Sequence, residues 1–94
     1  MAAELRRTDT TDMTTTTSTF TVRGFKLRTR SNRRYVAVAV RPAPVTTESG
    51  TYVAFADVRK RSDNLDTLRR FQRSYGWETG AYVVIIDTVS GEEI

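Results

Sequence analysis

The sequence predicts an α+β domain in the order β-β-β-α-β, in which a small antiparallel or mixed sheet carries one helix on one face. Three apolar or alternating stretches between residues 20 and 59 have the period of strands. A segment with helical apolar spacing and a further apolar run follow them. At 94 residues the chain is one domain at most, so we predict a single domain over residues 20–94. Residues 1–19 are rich in threonine and poor in large apolar groups, and we expect a disordered tail there.

The first strand is predicted over residues 20–30. Its apolar residues lie on even positions before Gly24 and on odd positions after it. A β-bulge at Gly24 would supply the extra residue, and glycine suits a bulge with left-handed backbone. We therefore expect the cations of this strand on one side and its apolar residues on the other. The cations are Arg23, Lys26, Arg28 and Arg30, and the apolar residues are Phe20, Val22, Phe25 and Leu27.

Ser31 and Asn32 fit a hairpin turn, because asparagine tolerates left-handed backbone. The second strand, residues 33–41, would then pair with the first. It is apolar on both faces, which is typical of a central, covered strand, and Pro42 ends it. The third strand, residues 51–59, repeats this pattern. Alanines on one face of these two strands leave room for a helix, so we place the helix on that face.

The helix is predicted between an N-cap at Ser62 or Asp63 and Gly76 as the C′ residue. Trp77 should fold back on the last helical turn. A fourth strand over residues 81–89 would follow a right-handed crossover, as an interior strand parallel to the third. Five side chains at helical spacing should face the core, namely Leu65, Leu68, Phe71, Gln72 and Tyr75.

The chain contains no histidine and no cysteine, which excludes disulfides, an ordinary zinc site and the commonest catalytic groups. The carboxylates have structural roles at strand ends, caps or the surface, and the glycines form no phosphate-binding loop. We therefore expect a binding protein that is not an enzyme and has no cofactor and no metal. The longest apolar runs are too short for a membrane span, and residues 1–19 have no signal-peptide core, so we expect a cytoplasmic location.

Cations are concentrated in residues 20–41, which hold seven of them and no acid. The first functional hypothesis is nucleic-acid binding through a cationic β-hairpin, with DNA or another polyanion as partner. Alternate residues of a strand lie about 7 Å apart, and a two-stranded ribbon fits a DNA groove. The candidate binding residues are Arg23, Lys26, Arg28, Arg30, Arg33 and Arg34.

Two alternatives remain open. Asp87, Glu92 and Glu93 would neutralise these arginines from within if the acidic C-terminal segment lies against the first strand. The second alternative is a protein-binding module, a homodimer or one that binds a host protein, because one helix cannot cover both faces of an apolar sheet. An exposed apolar face of this kind marks interaction sites. Its residues would be Val36, Val38, Val40, Val53 and Phe55.

Three segments, RTRSNRRYV, KRSDNLDTLRRF and DTVSGEE, resemble small uncharacterised accessory proteins of actinobacterial bacteriophages. The likeness covers most of residues 20–94. It implies a viral accessory protein of unknown function that contacts host machinery in the cytoplasm of the host cell, and it transfers no functional residue. The chain has thirteen arginines and only two lysines, which agrees with this resemblance. Arginine codons are rich in G and C, as are the genomes of actinobacteria.

Overall fold

The computed structural model describes residues 16–94, and of Thr16 only the backbone. Within this range 54% of the residues are in strands and 13% in one helix, so the predicted simple α+β fold of order β-β-β-α-β is wrong. The helix α1 (Leu65–Ser74) lies between the sixth and seventh strands. The strands are β1 (Thr16–Val22), β2 (Phe25–Ser31), β3 (Tyr35–Arg41), β4 (Val45–Thr47), β5 (Gly50–Tyr52), β6 (Phe55–Ser62), β7 (Tyr82–Asp87) and β8 (Glu92–Glu93).

The main sheet has four strands in the order β6-β3-β7-β8, and β1-β2 and β4-β5 form two separate hairpins. β3 is central and pairs antiparallel with both β6 and β7. The strands β6 and β7 therefore run parallel to each other, as predicted, but β3 lies between them. Apolar side chains on both faces of β3 and β7 make these strands suited to the middle of a covered sheet.

The predicted first hairpin is wrong in its register. Thr16–Val22 pairs with Phe25–Ser31, so Gly24 lies in a two-residue turn and not in a bulge, and β2 does not pair with β3. Arg23 and Gly24 have φ angles of 50° and 90°, the positive values that a type I′ turn requires at both loop positions. Residues 16–19 of the predicted tail belong to β1. The rest of that prediction, residues 1–15, lies outside the part of the chain described.

The hairpin and the helix cover opposite faces of the main sheet. Phe20 and Val22 from β1, with Phe25 and Leu27 from β2, pack on one face, as predicted for their shared side. That face contributes five buried residues: Val36, Val38, Val40, Val84 and Ile86. The opposite face presents Ala37, Ala39, Val83 and Ile85 to Leu68 of α1, so the helix does pack on the alanines of β3.

The helix begins later than predicted, because neither Ser62 nor Asp63 is its N-cap. Asn64 is its N-cap, and the Asn64 side chain accepts a hydrogen bond from the backbone nitrogen of Asp66 at 2.9 Å. Gly76 does not adopt positive φ, so the predicted left-handed helix end is absent. The predicted core stripe is confirmed: Leu68 is fully buried, with Leu65, Phe71 and Tyr75 packed beside it. Gln72 donates from Nε2 to the carbonyl oxygen of Val83 at 2.8 Å.

Trp77 follows the helix and contacts the ring of Tyr75, with ring centroids 4.4 Å apart. It folds back on the last turn as predicted, yet 63% of it is exposed, so it does not enter the core. A β-bulge does occur in this fold, in β6, where Ala37 pairs with Lys60 and Val38 with Val58. The bulge leaves Arg59 as the extra residue.

Candidate nucleic-acid interface

The outer face of the β1-β2 hairpin points away from the sheet and consists of exposed polar side chains. Cross-strand pairing sets one threonine of β1 opposite one cation of β2 three times in succession. No acidic residue occurs anywhere in residues 16–31. We call this surface the outer face; its members are Thr17, Thr19, Thr21, Lys26, Arg28 and Arg30.

The cross-strand pairing places no two cations opposite each other, so the hairpin can carry several cations without the cost in stability of opposed like charges. Like charges directly opposite each other destabilise a strand pair by about 0.2 to 1 kcal/mol. Here Lys26 lies opposite Thr21, and Arg28 lies opposite Thr19, so no two cations of the hairpin oppose each other. The cations form a single row along β2, about 7 Å apart. Threonine hydroxyls, which bind phosphate oxygens in protein–DNA complexes, run beside that row.

Lys26 and Arg28 make no hydrogen bond or ion pair with any residue in the range 16–94. Both side chains are exposed, as is that of Arg30. The charges of Lys26 and Arg28 therefore face solvent, and an anionic partner could reach them without breaking an ion pair to another residue of this range.

Arg23 is separate from this row, because the turn directs it towards the sheet. Its Nη1 lies 2.7 Å from Glu93 Oε1, and its Nη2 lies 3.3 Å from Glu93 Oε2. Its Nε donates to the hydroxyl oxygen of Tyr82 at 2.9 Å. The hydrogen bonds to Glu93 and Tyr82 raise the pKa of Arg23 further above its usual value. Arg23 thus ties the hairpin turn to the main sheet.

Arg33 and Arg34 are also paired within the molecule. Arg33 Nη1 lies 3.3 Å from Asp63 Oδ2, and Arg34 Nη2 lies 2.9 Å from Asp87 Oδ2. The side-chain hydrogen bond between Arg34 and Asp87 raises the pKa of Arg34 and lowers that of Asp87. The backbone nitrogen of Val89 also donates to Asp87, at 2.9 Å, which lowers the same pKa.

These two arginines line a polar groove of about 520 Å³ where the open end of the hairpin meets the β7-β8 turn. The six predicted binding residues are therefore divided between two environments. Lys26, Arg28 and Arg30 lie together on the outer face. Arg23, Arg33 and Arg34 lie at its two ends, each with a carboxylate partner. Two of the three acids predicted as internal partners, Asp87 and Glu93, have that role, and Asp63 adds a partner that the sequence did not suggest.

A second group of cations lies on the opposite side of the sheet, on α1. Arg70 and Arg73 are exposed, and Arg69 donates to the side-chain oxygen of Gln72 at 3.2 Å. Because α1 covers the face that the hairpin does not, these arginines cannot contact the same straight stretch of a partner as the outer face. Variants of these helix arginines can therefore serve as controls for variants of the outer face.

Arg41 is a buried cation with a structural role. It is 6% exposed, and its guanidinium donates to the carbonyl oxygens of Thr79 at 2.7 Å and Val53 at 2.9 Å. It also lies over the rings of Tyr52 and Phe55, at 5.2 and 4.9 Å from their centroids. It therefore holds the β4-β5 hairpin and the loop after α1 against the end of β3.

The predicted protein-binding face is not an exposed surface in this monomer. The valines of β3 are fully buried beneath the hairpin, which the sequence prediction had placed beside β3 and not on top of it. Val53 is 69% exposed, but it lies between β5 and β6. Phe55 packs on the helix side of the sheet. The five residues thus occupy three separate places: Val36, Val38 and Val40 in one, and Val53 and Phe55 in the others.

The sequence prediction places Thr17 and Thr19 in the disordered tail, outside the first strand, and only Thr21 falls within that strand. The sequence nevertheless contains a pattern that predicts a strand and a hairpin turn here. Threonine alternates from Thr17 to Thr21, and threonine favours strands because of its branched side chain. The pair Arg23-Gly24, between two alternating runs, fits a two-residue hairpin loop.

Comparison of the chain with protein-family models, with curated proteins and with solved structures finds no match in any of the three. The resemblance to bacteriophage proteins therefore stays a prediction. Among residues 16–94, no helix has the length and apolar character needed to cross a membrane. The same stretch contains no cluster of acidic side chains placed to bind a metal ion. The function has to be inferred from the chemistry of the protein's own surface.

Proposed function

We propose that the protein binds double-stranded DNA through the outer face of the β1-β2 hairpin, mainly by contacts to phosphates. The observation that carries this proposal is the row of Lys26, Arg28 and Arg30 beside a row of threonine hydroxyls, on a ribbon without any acid. Lysine, arginine and threonine are among the side chains that contact phosphates and position a protein on DNA.

The shape of the outer face favours a duplex over a single strand. Single-stranded nucleic acids are bound by aromatic side chains on which bases stack. The outer face has no aromatic residue, since both phenylalanines of the hairpin point into the core. A two-stranded ribbon fits the major groove of B-DNA, which is about 12 Å wide. The phosphate contacts would give affinity with little sequence preference.

The predicted partner class can be tested by the dependence of binding on salt. If three cations neutralise three phosphates, the slope of log K against log salt is about −2.7, and affinity falls roughly 40-fold between 50 and 200 mM salt. Fluorescence anisotropy of a short labelled duplex measures both quantities. A flat response to salt, or no binding at the lower concentration, would overturn the proposal.

Two variants that lose the same charge at different places test whether the outer face is the DNA-binding surface. The combined variant Lys26→Gln, Arg28→Gln, Arg30→Gln should lose most of its affinity and its salt dependence. The control variant Arg69→Gln, Arg70→Gln, Arg73→Gln removes the same charge from α1 and should keep both. An equal loss in the two variants would mean that net charge alone, and not the outer face, drives binding.

The alternative of a protein-binding module is not supported by the valine face on which it was based. That face is the contact between the hairpin and the sheet, and Val36, Val38 and Val40 have no exposed surface. A homodimer would have to use another part of the molecule.

A further inference from the structure

The outer edge of β1 exposes backbone hydrogen-bonding groups. In a two-residue type I′ turn the flanking residues, here Val22 and Phe25, exchange hydrogen bonds. Hydrogen-bonded pairs then alternate along an antiparallel ladder. The backbone groups of Thr17, Thr19 and Thr21 consequently point away from β2. Within residues 16–94, no strand other than β2 pairs with β1.

This edge lacks the features that protect other edges of the molecule. β6, at one edge of the main sheet, carries Arg59, Lys60 and Arg61 and contains the bulge. β7 is covered at its far edge by β8, where Ile94 donates its backbone N–H to Ile85. Charges, bulges and covering strands of this kind prevent edge-to-edge association. β1 reads TTSTFTV, with no charge, no proline and no bulge.

We propose that β1 is a self-association edge, at which a second copy of this chain pairs antiparallel with β1 about a two-fold axis that passes between the Thr19 residues of the two copies. In this register Thr19 lies opposite Thr19 of the second copy, and Thr17 lies opposite Thr21. Opposed residues of antiparallel strands share a face, so the threonines form cross-strand pairs, which are among the favourable ones. The outward N–H and C=O groups of all three threonines are satisfied.

Repulsion between the cations of the two outer faces does not prevent this pairing. The cations of the two outer faces are on β2 strands separated by three strand spacings, about 14 Å. The Debye length at physiological ionic strength is about 8 Å, so their repulsion is largely screened. The two outer faces would join in one four-stranded ribbon carrying six cations. The pairing itself does not depend on the proposed function.

The dimer should be weak and dependent on concentration. Seven residues of strand span about 23 Å, and strand pairing alone buries less surface than the interfaces of stable dimers. In sedimentation equilibrium without DNA, the mean mass should rise from 10.7 kDa towards twice that value over about a hundredfold range of concentration. A mass that stays at 10.7 kDa throughout would overturn the proposal.

Two variants at position 19 test whether the backbone edge of β1 forms the dimer contact. Thr19→Pro removes the outward N–H without touching the ladder to β2, because proline is tolerated at the open side of an edge strand. It should remain monomeric with a normal circular dichroism spectrum. Thr19→Ala keeps the N–H group and should still dimerise. Dimerisation of a folded Thr19→Pro variant, or loss of dimerisation in Thr19→Ala to the same extent, would contradict pairing through the backbone.

Hydrogen exchange of the unmodified protein provides a test that does not depend on a variant folding. The amides of Thr17, Thr19 and Thr21 should be protected at high concentration and should exchange rapidly on dilution. Rapid exchange at every concentration would show that the edge stays open. Protection that does not change on dilution would show that the edge is covered within one chain. Either result would overturn the proposal, and neither would bear on DNA binding.

Discussion

The guanidinium of Arg23 and the carboxylate of Glu93, 70 residues apart in sequence, meet 2.7 Å apart. The contact joins the turn of the β1-β2 hairpin to the C-terminal strand β8. It removes Arg23 from the cations available to a partner, whereas Lys26 and Arg28 point to solvent from the same hairpin. The charge of the hairpin is thus divided between an anchor at its tip and a row along its outer face.

Glu93→Gln should strengthen DNA binding. Without the carboxylate, Arg23 can reach a further phosphate, so the salt slope should become steeper by about 0.9. Glu92→Gln is the matched control, because it changes net charge equally and Glu92 has no ion pair within the described chain. Anisotropy titrations at several salt concentrations measure the slopes. Equal slopes in the two variants would mean that Arg23 remains held away from DNA.

Gly24→Ala should destabilise the fold by about 1 to 2 kcal/mol, which is the cost of left-handed backbone for a residue with a Cβ. An added Cβ meets no atom within 4 Å, so the cost is conformational only. The control is Gly76→Ala, where φ is not positive and the space is equally open. It should be neutral or slightly stabilising. Urea unfolding compares the two, and an unaffected Gly24→Ala variant would argue against the turn.

Leu68→Ala should cost about 3 kcal/mol of unfolding free energy, because Leu68 is fully buried between α1 and the alanine face of the sheet. Arg70→Ala, on the exposed side of the same helix, should change stability by no more than about 0.5 kcal/mol. Denaturant midpoints at constant slope give both values. Similar values for the two variants would mean that α1 is not docked as described.

Stability should decrease in acid partly through Asp87. Its pKa is lowered in the folded protein by Arg34 and by the backbone of Val89, so the unfolded chain takes up the proton first. The contribution is complete above the usual pKa of 3.8 and is lost as pH falls from there through the lower folded pKa. Urea unfolding of the unmodified protein and of Asp87→Asn over that range measures it. The variant should lose less stability on acidification; the same loss would exclude Asp87 as a source.

The sequence predicted the parts of the fold that depend on local patterns. Continuous apolar residues on β3 identified a central strand, and the stripe around Leu68 identified the buried side of α1. The hairpin register was predicted wrongly for a geometric reason. A two-residue turn places Val22 opposite Phe25, three residues later, and so shifts the parity of a strand pattern just as a bulge does.

Only half of the six predicted binding residues lie together on the outer face, and this has a different reason. Every cation in residues 20–34 looks alike along the sequence, but Arg23, Arg33 and Arg34 meet acids that lie 30 residues or more away once the chain is folded. Arg34 and Asp87 are such a pair. Long-range pairing of this kind depends on strand order, and strand order depended on recognising β1 and its turn.

The most direct test of DNA binding by the outer face is an NMR titration of the labelled full chain with a short duplex. Amide shifts should concentrate in β1 and β2, centred on Thr19 and Arg28, and should disappear as salt is raised. Shifts concentrated instead on α1 around Arg70 and Arg73, or no shifts at low salt, would contradict the proposed function.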